Sequence, residues 1–260
     1  MPVLLRRLHV RDLGLNRRHR EDAVLKILLT TLIVGSAFFC ALPVFADDPG
    51  HINGYVTPYF DSSGPVIRVG KYSSGLLSKV PGEFVRTIIR MKNQWNDLNF
   101  TEIYAAAIRL YDLGYRNEAT YWFYTAQYRG AQFALLVDQK KLGSTGDRGF
   151  ELYHAQEGFF KVAGPTINGY AYGDVDSVVS IIRRVQSENH TVPNVKNMYP
   201  GVAFLHMAQW QGINAELNAG WGRLATQLAS RKNEIKQQRI ADGTQARFSH
   251  LTSRRFPGGL

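Results

Sequence analysis

Ile103-Tyr-Ala-Ala-Ala-Ile-Arg-Leu-Tyr-Asp-Leu-Gly114, closely followed by Asn117-Glu-Ala-Thr-Tyr-Trp-Phe-Tyr-Thr-Ala126, is the stretch that decides the fold. Good helix formers fill Ile103 to Leu113, and Gly114 is a helix-stop residue. A second helix starts at Asn117 and runs through Tyr124 toward Val137. In that second helix Ala119, Trp122, Phe123 and Ala126 make a stripe of small and large side chains that lets a neighbouring helix come close. Ala105, Ala106 and Ala107 supply the matching small face on the first. The reading is an antiparallel helical hairpin with a short turn.

The run Ala107 to Gly114, then Asn117-Glu-Ala119, Tyr121-Trp-Phe-Tyr-Thr-Ala126 and Gly130, resembles one Sel1-type or tetratricopeptide-like repeat. Those families place a Gly in the turn, an Ala soon after it, an aromatic pair, and an Ala and a Gly closing the second helix. The likeness covers residues 103–131, and no second copy follows at a period of about 34 to 36 residues. A solenoid needs several stacked repeats to bury its faces, so the resemblance implies a helical hairpin rather than a repeat array.

Working outward, Phe84, Ile88, Met91 and Trp95 share one face of a helix that begins after Pro81, a favourable first-turn residue. Residues 47–78 form an extended, turn-rich lead-in, with Tyr55-Val-Thr57, Pro65-Val-Ile-Arg-Val69 and Tyr72 as strand-like pieces. Downstream, Lys140 to Asp147 is a loop, and Phe150 to Val162 a third helix carrying Leu152, Phe159 and Phe160. Gly164-Pro-Thr-Ile-Asn-Gly-Tyr170 is a turn-rich connector. Val178, Ile181, Ile182 and Val185 mark the next helix, and His190 to Pro200 a loop between prolines. The last long helix begins near Gly201 and carries the seam Leu217, Trp221, Leu224, Leu228 and Ile235. Beyond Gly243 a flexible basic tail is expected. The fold class is mainly α: antiparallel hairpins in one domain over residues 79–242, with a tail at 243–260.

The N-terminus reads as an address. Arg6, Arg7, Arg11, Arg17, Arg18, Arg20 and Lys26 precede the apolar run Ile27 to Phe39, and Pro43-Val-Phe-Ala46 leads to Asp47-Asp48. That order describes a secretory signal, residues 1–46, cleaved after Ala46 into a periplasmic or secreted protein. The alternative is an inner-membrane anchor formed by residues 23–45. The whole chain carries 31 basic and 21 acidic residues, a net charge of +10. Seven of the basic and three of the acidic residues belong to the presequence, which leaves a modestly basic remainder. Export turns that charge away from nucleic acid. Cys40, the single cysteine, leaves with the presequence, which excludes thiol catalysis and disulfides in the exported form.

Motifs for chemistry are scarce. No GxSxG elbow, no GxxxxGK[ST] phosphate loop and no GxGxxG turn occurs, so no cofactor is expected. His51, His154, His190, His206 and His250 do not pair at metal-ligand spacing, and no metal site is expected. Asp174-Val-Asp176 reads first as a helix start that accepts backbone N–H bonds, and second as an acidic pair for catalysis. Glu157 joins that second reading. The aromatic run Tyr121 to Tyr128 reads first as core packing on two sides of its helix. What it leaves exposed, Tyr121, Tyr124 and Tyr128 with Arg116 and Arg129 nearby, gives the partner-binding candidates, since tyrosine and arginine concentrate in binding hot spots. Arg231, Lys232, Lys236, Arg239, Arg247, Arg254 and Arg255 offer a membrane-surface contact.

These readings lead to an exported, non-enzymatic module that binds a protein partner in the bacterial envelope. An immunity-type inhibitor of an exported toxin is one concrete form. The alternatives are an envelope hydrolase using Asp174, Asp176 and Glu157, and a membrane-tethered structural protein.

Overall fold

A helix whose every face is apolar or uncharged needs partners all round, and Ala119 to Leu136 holds a single charged residue, Arg129. In the computed structural model, which describes residues 48–52 and 70–257, that segment is the central helix of a helical domain. The α-helices are α1 (Ser73–Leu77), α2 (Pro81–Asn93), α3 (Phe100–Asp112), α4 (Arg116–Leu136), α5 (Arg148–Ala171), α6 (Val175–Glu188), α7 (Val195–Met198), α8 (Trp210–Ser230), α9 (Lys232–Ala241) and α10 (Thr244–Phe248). No strand is formed among the described residues. The nearest approach is an antiparallel bridge between Val137 and Phe204. α4 packs against α3, α5, α6 and α8.

The hairpin α3–α4 forms where it is expected, and its ends are chemically specified. Asn99 accepts from the Glu102 N–H at 2.9 Å, while the Glu102 carboxylate accepts from the Asn99 N–H at 3.1 Å, a capping box. Gly114 adopts φ +83°. Its N–H reaches the Tyr111 carbonyl and the Tyr115 N–H the Leu110 carbonyl, the Schellman pattern that ends a helix on a left-handed residue. Ala105, Ala106 and Ala107 are fully buried, as are Trp122, Phe123 and Ala126. The flanking helices keep their expected faces: Phe84, Ile88 and Met91 on α2, and Leu217, Trp221, Leu224 and Leu228 on α8, are buried.

A polar seam ties α4 to α6 and α8. Asn214 is fully buried, accepts from Tyr128 at 3.1 Å and Gln132 at 2.7 Å, and donates to the Asn189 carbonyl at 3.0 Å. Hydrogen-bonded in this way, a buried amide fixes how the three helices register.

Several boundaries differ from the sequence expectation. The last long helix stops at Ser230, so Ile235 of its expected seam falls on α9, and the short α7 forms inside the expected loop His190 to Pro200. The connector at Gly164 to Tyr170 lies inside α5, which continues through Pro165 to Ala171. Pro165 and Lys161 are both exposed on one face of α5, so the carbonyl that loses its N–H partner faces solvent and the helix survives. The last long helix starts at Trp210, because Ala203 and Leu205 bond back to Asp138 and Leu136 in extended form. Tyr72 belongs to a 3-10 turn and is buried, and the strand-like pieces at 55–57 and 65–69 lie outside the described residues. The described part of the tail, residues 243–257, is not loose: Phe248 and Phe256 are buried, the latter against the Tyr115 ring. The presequence and the segment 23–45 also lie outside the described residues. Among those described, no helix is long and apolar enough to cross a membrane.

Candidate functional site

α8 ends at Ser230, Arg231 caps it, and the chain resumes at once as α9. Lys232 pairs with Asp176 at the start of α6, which holds this C-terminal arm against the body. Gly243, at φ +77°, turns the chain into α10. Phe248 of α10 then seats on Gly169 of α5, where a methyl group would stand 2.4 Å from the ring. From there the chain returns to the α3–α4 turn. Arg254 donates its N–H to the Gly114 carbonyl at 2.8 Å, and Arg116 donates to the Thr252 carbonyl at 2.6 Å.

Between this arm and the body lies a cleft of about 320 Å³. Asn117 and Thr120 from the first turn of α4, Tyr170 from the end of α5, and Asp174 and Ser177 from the start of α6 line one side. Arg239, Gln245 and Phe248 line the other. The positive ends of two helix dipoles therefore meet at its wall. Tyr170 donates to Asn117 Oδ1 at 2.7 Å, bridging α5 and α4.

Arg239 is the unusual member. It is 6% exposed and the only buried side chain of α9, whereas Ile240 beside it is 54% exposed. It donates to the Gly169 carbonyl at 2.8 Å and to Gln245 Oε1 at 3.2 Å. No carboxylate of the described residues lies within ion-pair distance of it, and burial pulls its pKa below the ordinary arginine value. Its hydrogen bonds go to neutral acceptors, and Asp242 acts on it only through space, so its charge is not spent in an ion pair.

The carboxylate reading finds one acid here. Asp174 lines the cleft, and its Oδ1 accepts from the Ser177 N–H at 3.1 Å as the cap of α6, as expected. Asp176 points instead to Lys232, and Glu157 pairs with Lys161 at 2.7 Å on the exposed face of α5. Each of the three carboxylates thus has its own partner: a backbone N–H for Asp174, Lys232 for Asp176 and Lys161 for Glu157. Among the described residues no three His, Cys, Asp or Glu side chains gather to hold a metal.

The aromatic candidates are not a surface. Tyr121, Tyr124, Tyr128 and Arg129 are all buried because α4 has helices on every side. Tyr121 donates to Glu188 under the Arg184 guanidinium, Tyr124 to Asn168, and Tyr128 to the Asn189 carbonyl. Arg129 closes off the carbonyls of Trp95 and Leu98 at 2.6 and 2.9 Å. Arg116 is half-buried and used as a strap, over the Tyr111 ring and onto Thr252 and Gly50. Of the basic C-terminal residues, Arg231 pairs with Glu234, Lys232 with Asp176, and Arg254 lies over Tyr115, so much of that charge is spent within the chain.

Gln245 and Phe248 are not expected at a site, and Arg239 is expected only within the basic set for a membrane-surface contact. One signal for Arg239 is readable: it stands four residues after Ile235, where the apolar seam of the preceding helix would continue. Compared with family models, curated proteins and solved structures, the chain matches none.

Proposed function

We propose that this protein is an exported, non-enzymatic binding module of the bacterial envelope. It holds a partner protein at the cleft between the C-terminal arm and the starts of α4 and α6. The observation that carries the reading is the chemistry of the lining: hydrogen-bonding groups and a buried cation face an open cleft, and its one carboxylate is engaged as a helix cap. Such a site can grip a ligand but has no acid–base pair to transform it. The presequence pattern supports the location, and an immunity-type inhibitor of an exported toxin is the concrete form that fits it.

The test is a photo-crosslinking side chain at Ile181, which lines the cleft, against one at Ile89, exposed on α2. A discrete adduct in the envelope fraction from Ile181 alone is expected. Equal labelling from both positions, or adducts confined to the cytoplasm, overturns the proposal.

A further inference from the structure

We infer that the cleft beside Arg239 is a carboxylate-binding subsite, which takes an acidic side chain or chain end of a bound peptide. The inference rests on the binding-module reading and names the chemistry that such a module would recognise.

α9 is a polar helix that touches the body mainly through its neighbours, and the one side chain it buries is a cation. An apolar residue there would cover the same space without the cost of desolvating a charge. Of the five N–H groups of a guanidinium, Arg239 donates one from Nε and one from Nη1. Nη2 is donated to no described residue, and it stands 3.7 Å from where a side chain on Gly173 would begin. Gly173 also lines the cleft, so the free edge of the fork lies at its wall.

A planar fork with unspent donors matches the two oxygens of a carboxylate. The helix starts of α4 and α6 add partial positive charge to the same wall. Asp174, in the same cleft, disfavours a doubly charged phosphate more than a singly charged carboxylate. The volume of about 320 Å³ suits one side chain or chain end rather than a large cofactor. Val178, Ile181 and Leu251 give the adjoining apolar surface that a peptide stem requires.

The test uses the full-length chain labelled with 15N, titrated near neutral pH at constant ionic strength with Ac-Glu-Glu-NH2, its neutral analogue Ac-Gln-Gln-NH2, and inorganic phosphate. The Arg239 Nε–H signal and the amides of residues 174–177 are followed. The acidic peptide is expected to give a saturating shift and the neutral analogue none. Arg239→Gln should abolish that shift. Ser249→Glu puts a negative charge on an exposed lining residue without touching the bonds of Arg239, and should weaken binding by about tenfold or more. If Arg239→Gln fails to fold, Ser249→Glu decides. No saturable shift, equal shifts from the neutral analogue, tighter binding of phosphate, or an unaltered Ser249→Glu affinity each overturns the inference. A flat peptide titration beside a persistent Ile181 adduct would remove the carboxylate assignment and leave the binding module standing. A saturating titration with no adduct would do the reverse.

Discussion

Gly169→Ala tests how the C-terminal arm is seated, because two effects of opposite sign compete at one position. In an exposed helix the added methyl group would stabilise by about 1 kcal/mol through propensity. At Gly169 it would stand 2.4 and 2.6 Å from two ring carbons of Phe248, closer than a methyl group can approach. The ring as a whole must move, and Phe248 is only 6% exposed. Losing its burial costs about 2 kcal/mol. The neighbouring bond from Arg239 to the Gly169 carbonyl, if broken with it, costs about 1.5 to 3 kcal/mol. The expected net change is a destabilisation of about 1 kcal/mol if only the ring is unseated, and up to about 4 kcal/mol if the Arg239 bond goes with it. Urea unfolding followed by far-UV circular dichroism measures it. Phe248→Ala should cost about 2 kcal/mol alone and little more once Gly169→Ala is present, since the ring has already left its seat. A Gly169→Ala protein more stable than wild type by about 1 kcal/mol would refute the seating of Phe248.

Asn214→Leu should cost about 2 to 4 kcal/mol in the same unfolding assay, since Gln132 loses its acceptor inside the core. Adding Gln132→Leu should recover at least about 1 kcal/mol. Asp174→Ala removes the cap of α6 and should cost about 1 kcal/mol, whereas Asp176→Asn, an exposed partner of Lys232, should stay within about 0.5 kcal/mol. Burial raises the pKa of Asp112 above its ordinary value, opposed by the Ile52 N–H, His51 and Arg109. The folded state then holds that proton more tightly than the unfolded chain, so the contribution is complete in acid and lost as pH rises through the folded value. Asp112→Asn keeps an acceptor for the Ile52 N–H, and its urea midpoint should gain on wild type as pH is raised from acid to neutral.

Much of the helical frame was legible because it rests on local rules. The α3–α4 turn needs a left-handed residue, and Gly114 is one; α6 needs a cap, and Asp174 is one. The faces of α2 and α8 follow the helical period, which one-sided burial imposes on a sequence. Where burial is two-sided the period carries no direction. α4 shows this: its aromatic residues read as core on two sides yet left some as interface candidates, although a run with Arg129 as its one charge up to Asp138 signals a helix enclosed on all sides. Pro165 misled for another reason, since its cost depends on whether the orphaned carbonyl meets water, a tertiary property. The cleft was hidden because it is assembled from helix ends far apart in sequence. The arm that covers it is fastened by single residues, Phe248, Arg254 and Phe256, which make no pattern.

The central claim, that a partner is held at the cleft by its acidic group, is tested most directly by competition at Ile181. Envelope extract is crosslinked through a photoreactive side chain there, with increasing Ac-Glu-Glu-NH2 or Ac-Gln-Gln-NH2 present. The account predicts that the acidic peptide removes the adduct in a saturable manner and the neutral one leaves it. An adduct that persists at saturating acidic peptide, or that both peptides remove equally, would contradict it.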